Sequence, residues 1–135
     1  MNCAVLDSGC SKTVCGQSWL NCYLETLNSD DLKQVKEEET HSSFKFGDGN
    51  GMKSVKKVTI PAKIAGVNIY IVTEVIDGDL PLLLSKDSMK KAETRIDFRT
   101  DKVNILGRDM DIKFTSSGHY AIPIHKKNEC FIKFG

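Results

Sequence analysis

Ala4-Val5-Leu6-Asp7-Ser8-Gly9 is an apolar run leading into a carboxylate held among small residues. Three apolar residues predict a short buried strand, and the Ser8-Gly9 step lets the backbone turn sharply and approach another segment closely. Asp7 is therefore expected at a strand end. Asp-Ser-Gly is also favoured turn chemistry in its own right, so the motif alone leaves open an aspartate that caps a loop. Peptide hydrolysis by carboxylates needs a general base to activate water and a general acid to protonate the leaving group, and one aspartate cannot do both at once. Two carboxylates within a few ångströms cannot both ionise, so they share a proton and supply both roles. The nearest second candidate, Asp87-Ser88-Met89, has no glycine and follows an expected helix start. A catalytic pair would have to form between two chains, with Asp7 facing its symmetry mate across a two-fold axis.

The rest of the composition is unremarkable for such a domain. At 135 residues one domain is expected, burying roughly two thirds of its unfolded surface. The 19 basic and 18 acidic residues leave a net charge of +1, which gives no electrostatic case for nucleic acid or a membrane. No apolar run approaches the roughly 20 residues of a membrane helix, and no signal-peptide pattern opens the chain. A soluble, intracellular, cytoplasmic protein is expected. Of the five cysteines, Cys3, Cys10, Cys15 and Cys22 crowd the start without a C-x-x-C pair. They read as small buried apolar residues in a reducing compartment, and His41, His119 and His125 fall at no ligand-like spacing to them, so neither a metal nor a cofactor is expected.

Beyond the turn, Lys12 to Gly16 reads as a short strand. Trp19, Leu20, Tyr23, Leu24 and Leu27 form the apolar face of a helix opening near Ser18. The polar segment 28–43, centred on Glu37-Glu38-Glu39, reads as a solvated helix or surface loop. Phe44 and Phe46 alternate with polar residues, and Gly47-Asp48-Gly49-Asn50-Gly51 is a strong turn signal, so this is the tip of a hairpin. Its far arm continues as Val58, Ile60, Ala62 and Ile64 at period two. After a turn at Gly66-Val67-Asn68, the run from Ile69 to Ile76 reads as a strand buried on both faces. Leu82-Leu83-Leu84 runs into Ser85, a good N-cap for a short helix over 86–93. Strands are expected near 95–98, 103–106, 112–114 and 120–124. The tail from His125 is polar until Cys130-Phe131-Ile132.

In this order, the strand into Asp7-Ser8-Gly9, Thr13-Val14 after it, the glycine-rich hairpin and the Leu82-Leu83-Leu84-Ser85 element resemble the retropepsin family of retroviruses and LTR retrotransposons. The segment 95–124, with Gly118-His119-Tyr120 before an apolar-Pro ending, is similar to the C-terminal part of copia-type retrotransposon proteases. The resemblance implies an all-β, closed β-barrel acid-protease fold with a flap hairpin and one or two short helices, one domain over 1–135 with its core in 1–124 and a tail at 125–135. It implies an aspartic endopeptidase that processes a Gag-Pol-type polyprotein as a homodimer, within virus-like particles where the element forms them. Asp7 is then the catalytic residue of each chain; Ser8 and Gly9, with Leu83 and Leu84, support the active-site loop. Phe46, Gly47, Asp48 and Gly49 form the flap over an extended polypeptide substrate. Serine at position 85 departs from the glycine of many relatives, though copia-type elements often have Leu-Leu-Ser. Only six residues precede Asp7, fewer than in most retropepsins, and the strand-rich C-terminal segment is expected to replace the missing strand.

The competing reading is a catalytically silent retropepsin-like module, domesticated or truncated, that dimerises or binds peptide. Other chemistries fit less well. The glycine-rich segment lacks the Lys-Ser/Thr ending of a phosphate loop and the carboxylate spacing of a calcium loop. Ser117, His119 and Asp109 carry the residue types of a hydrolase triad, but no nucleophile elbow surrounds the serine.

Overall fold

The leucine triplet forms strand β6 (Leu82–Leu84), and the N-terminal strand β1 (Cys3–Leu6) lies parallel to it, with Ala4 opposite Leu82 and Leu6 opposite Leu84. On the other side of β6, β2 (Val14–Gly16) runs antiparallel, with Val14 opposite Leu83. The apolar triplets are therefore internal strands, which is why they carry no polar alternation. These contacts come from a computed structural model, which describes residues 2–45 and 51–124.

Gly16 leads directly into α1 (Gln17–Glu25), which buries Trp19, Leu20 and Tyr23 on one face. Trp19 and Tyr23 stack with ring centroids 5.1 Å apart, and the Tyr23 hydroxyl donates to the Pro61 carbonyl at 2.6 Å. The short α2 (Ser29–Leu32) is capped by Asn28, whose side chain accepts from the Asp31 amide. Then come β3 (Lys36–Lys45), β4 (Gly51–Ile64) and β5 (Val67–Ile76), paired antiparallel in sequence. After β6, α3 (Lys86–Lys91) is capped by Ser85. β7 (Arg95–Asp97), β8 (Lys102–Ile105) and β9 (Arg108–Met110) make a separate three-stranded sheet, and β10 (Lys113–Phe114) and β11 (Tyr120–Pro123) return to the main one. The main sheet has eight strands in the order β10-β11-β1-β6-β2-β5-β4-β3.

The protein is mostly β, as expected, but five details differ from the sequence reading. The main sheet is open, with β10 and β3 at its two edges, so the expected closed barrel is not found among the described residues. The described helices number three rather than one or two. The acidic segment is no helix or loop: in β3, Glu38 lies opposite Lys57 and Glu39 opposite Lys56. Glu37 approaches Lys56 at 3.5 Å and Glu38 approaches Lys57 at 4.0 Å. Its partners sit on another strand, invisible to local pattern, and exposed pairs of this kind stabilise by about 0–1 kcal/mol each. Finally, β5 is buried on both faces only in its second half; Tyr70 and Val72 are exposed. Strand β9 was not expected, because Arg108-Asp109-Met110 has no apolar alternation.

The sheet separates two apolar sides. Ala4, Leu6, Leu82 and Leu84 point into the main core with Val58, Ile60, Ala62 and Ile64, the period-two arm read from the sequence. Cys3, Val5 and Ala121 pack with Leu83 on the opposite side, next to a cluster of Val14, Ile76, Cys10 and Leu80. Strand β11 pairs antiparallel with β1, Cys3 opposite Pro123, so the C-terminal strands do occupy the place beside the Asp7 strand. Among the described residues no helix is long and apolar enough to cross a membrane.

Candidate active site

Asp7 follows β1 directly, and its amide still donates to the Leu84 carbonyl at 3.1 Å, so the carboxylate stands where the strand ends against β6. Side chains alternate along β1, which places Asp7 on the side of Val5 and Leu83, away from the main core. The Asp-Ser-Gly turn is closed by the Cys10 amide donating to the Asp7 carbonyl at 3.1 Å, and the Gly9 amide donates to Asp7 Oδ1 at 3.0 Å. A Cβ on Gly9 would lie 3.3 Å from that same oxygen. Ser8 and Gly9 are exposed, and Asp7 is half-buried. The carboxylate is thus presented at a surface, oriented by its own turn.

Three hydroxyls hold this turn from behind. Thr13, which opens the segment into β2, donates to Ser85 Oγ at 3.2 Å and shares a 2.7 Å hydrogen bond with Ser88 Oγ. Its oxygen accepts from the Ser85 amide at 3.1 Å, and Ser85 Oγ in turn accepts from the Ser88 amide. The Lys86 amide donates to the Cys10 carbonyl. The start of α3, the Asp7 turn and the start of β2 are therefore one hydrogen-bonded unit. Ser85 also answers its own departure from glycine. Its backbone is extended, at φ −70 and ψ 163, so glycine is not required, and its hydroxyl is the helix cap.

The sequence reading missed Thr13 and Ser88 as structural supports. The signal was present in Ser85-x-x-Ser88, a capping spacing, but the partner 72 positions away in Thr13 was not readable. Thr13→Val keeps the shape and removes the hydroxyl, leaving the buried Ser85 amide without its acceptor. A stability loss of about 1–3 kcal/mol is expected, read from a lowered denaturant midpoint, with Ser88→Ala costing less.

Leu83 lines the Asp7 side of the sheet whereas Leu84 belongs to the core on the other side. Val14, Ile76 and Leu80 join Leu83 there, giving an apolar wall the sequence did not single out. Phe46, Gly47, Asp48 and Gly49 lie outside the described residues; the strands that lead to them, β3 and β4, are paired up to Lys45 and Gly51. Asp87 is exposed in the first turn of α3. Ser117 Oγ and His119 Nδ1 do meet, at 2.9 Å, but in an exposed turn closed by Thr115, while Asp109 accepts from Asn104 in the smaller sheet. No triad forms.

The cysteine thiols Cys3, Cys10, Cys15 and Cys22 are free. Burial pushes the Cys15 thiol up to about 11, against the opposing pull of a Thr73 hydrogen bond and Lys56. Cys10, beside the turn, is raised first by burial and then by the Asp7 charge. Thiols held protonated in this way are poor nucleophiles. Among the described residues no cluster of histidine, cysteine or carboxylate side chains could hold a metal ion.

The chain is similar to the retroviral protease-like domain of Ddi1 from Leishmania major, with a TM-score of 0.51 and 16% identity, over 93% of this chain and 86% of that one. The fold is retropepsin-like. No family model and no curated protein matches the sequence, so the likeness is carried by strand arrangement rather than by residue identity.

Proposed function

We infer that this chain is an aspartic endopeptidase whose active site forms between two copies, each contributing Asp7. The observation that carries the reading is the position of Asp7: at the end of β1, in a turn braced by β6 and α3, on the apolar side of a retropepsin-like sheet. One carboxylate of the pair takes a proton from the attacking water as its oxygen bonds to the scissile carbonyl carbon. The other, protonated, donates to the carbonyl oxygen and later serves the leaving nitrogen as the C–N bond breaks. The two titration steps belong to the pair rather than to either chain. Ser8 and Gly9, small and exposed, permit the close approach of two such turns. Leu80 and Leu83, partly exposed over buried Val14 and Ile76, provide apolar surface, which favours hydrophobic over charged residues flanking the cleaved bond. A retroelement polyprotein is the natural substrate.

Reaction order tests this. Cleavage of a mixed peptide library at pH 4 to 7 is expected to rise with about the square of chain concentration at low concentration, because two chains build one site. Strictly linear activity would remove the shared dyad. Dimerisation by sedimentation without cleavage at any concentration would favour the silent peptide-binding module instead.

A further inference from the structure

Strand β5 pairs with β4 along its whole length but with β2 only over Glu74–Ile76. Two hydrogen bonds fix which main-chain groups face the remainder of that second edge. The Glu74 amide donates to the Thr13 carbonyl at 2.9 Å, so even-numbered β5 residues turn their N–H and C=O groups away from β4. On β4, the Lys63 amide donates to the Ile124 carbonyl at 2.8 Å, so Lys63 also turns away from its β5 neighbour Asn68. The two observations give the same phase. Asn68, Tyr70 and Val72 therefore present main-chain donors and acceptors to an edge where, among the described residues, no strand pairs with them. Tyr70 and Val72 are 61% and 50% exposed.

Alongside this edge runs a cavity of about 490 Å³, walled on the far side by 11–13 and α3 and floored by core side chains such as Ile64, Ile71, Met89 and Ile105. That volume lies within the range of real ligand sites. Thr94 lies in its lining, and Thr94 Oγ1 is buried with no hydrogen-bond partner among the described residues, although buried hydroxyls are nearly always satisfied. The lining also carries Lys12, Lys57 and Lys91 against Asp87 and Glu74, and the Glu74 carboxylate already accepts from Ser54. The cavity shares Thr13, Ser85 and Ser88 with the brace of the Asp7 turn but lies on the other side of the sheet from Asp7. Its floor is the main core side of the sheet, the side of Leu84, whereas Asp7 follows Val5 and Leu83 on the other.

We propose that this groove binds an extended polypeptide segment of a partner protein as an added strand on β5, with alternate apolar side chains over the floor and an acidic residue at the lysine rim. Strand addition supplies partners for the Asn68, Tyr70 and Val72 main chain, and the apolar floor selects every second side chain. A groove walled on both sides admits a lone extended segment; a second copy of this chain would have to bring a folded sheet edge into it. Lys91, exposed at this rim while Lys57 already faces Glu38, favours an acidic flank.

The test uses the full chain carrying Asp7→Asn, so that binding is read without cleavage and its outcome is independent of the protease reading. The probe is a fluorescein-labelled peptide of sequence Glu-Val-Thr-Val-Thr-Val. In the free chain, the Tyr70 and Val72 amides are expected to exchange with solvent at least about a hundredfold faster than those of Ile71 and Thr73, which bond to β4. Saturation with peptide slows Tyr70 and Val72 selectively. Val72→Pro removes a donor from the open edge only and leaves the β4 ladder intact, so the chain folds while affinity falls about tenfold or more; Val72→Ala retains binding. Equal affinity for the Val72→Pro and Val72→Ala chains, or no protection at saturating peptide, overturns the proposal. Protection of these amides that grows with protein concentration alone also overturns it, assigning the edge to a second copy.

Discussion

Asp7→Asn is expected to abolish peptide cleavage while leaving the fold in place. Asparagine keeps the size of the side chain and an oxygen for the Gly9 amide, which now donates at 3.0 Å, so the turn should survive. What it loses is the ability to take and return a proton, and neither chain of the pair can then act as general base. General acid–base catalysis accounts for about 10²–10⁴ of a rate enhancement, and losing both halves of the dyad together should remove activity by at least about 10³-fold. Circular dichroism and the unfolding midpoint should match the parent chain. Mixing is the more searching form of the experiment. If each site needs two Asp7 residues, adding an equal amount of mutant to saturated wild-type protein should cut the activity to about half through random pairing. A mutant that is inactive alone but leaves the wild type untouched would show that each chain works by itself, and the shared site would have to be given up.

Gly16→Val carries the largest expected effect on stability. Gly16 ends β2 and caps α1, its amide donating to the Leu80 carbonyl at 2.8 Å while the Ser18 amide donates to the Gly78 carbonyl. A Cβ there would lie 2.4 Å from the Gly78 carbonyl oxygen and 2.5 Å from the Leu80 nitrogen. Both are backbone atoms of one loop, so no side-chain rotation relieves the contact and the loop itself must move. A cost of about 3 kcal/mol is expected from urea unfolding. The displaced loop carries Leu80, which packs with Val14, Ile76 and Leu83 on the Asp7 side, so activity of the residual folded protein should fall as well. Gly107 gives a contrast: nothing lies within 4 Å of a Cβ there, and its φ of +80 makes the penalty purely conformational. Unchanged stability in Gly16→Val would mean that the loop over 78–80 is not held against β2.

Much of the layout was legible because it is written in local patterns. The apolar triplets at 4–6 and 82–84, the helix face of Trp19, Leu20 and Tyr23, the alternation of Val58 to Ile64 and the Ser85 cap each depend on residues a few positions apart, and each appears where expected. Glu37 to Glu39 failed for the opposite reason: as a like-charged run it has no partners nearby, and its lysines lie on a strand some 20 positions away, beyond any local window. The half-open β5 failed similarly, since an apolar run cannot say how many neighbours a strand has or how far each extends.

By itself, then, the sequence determined the strand into Asp7-Ser8-Gly9, the Ser85 cap and the residues with a core-facing period, because propensity, alternation and capping act through neighbours along the chain. Only the tertiary structure decided that β1 lies parallel to β6, that Thr13 braces Ser85 and Ser88, that Leu83 and Leu84 face opposite sides, and that the main sheet stays open. Those outcomes depend on which distant strands pair and in what register, and a one-residue change of register would exchange every side chain between the core and the Asp7 side.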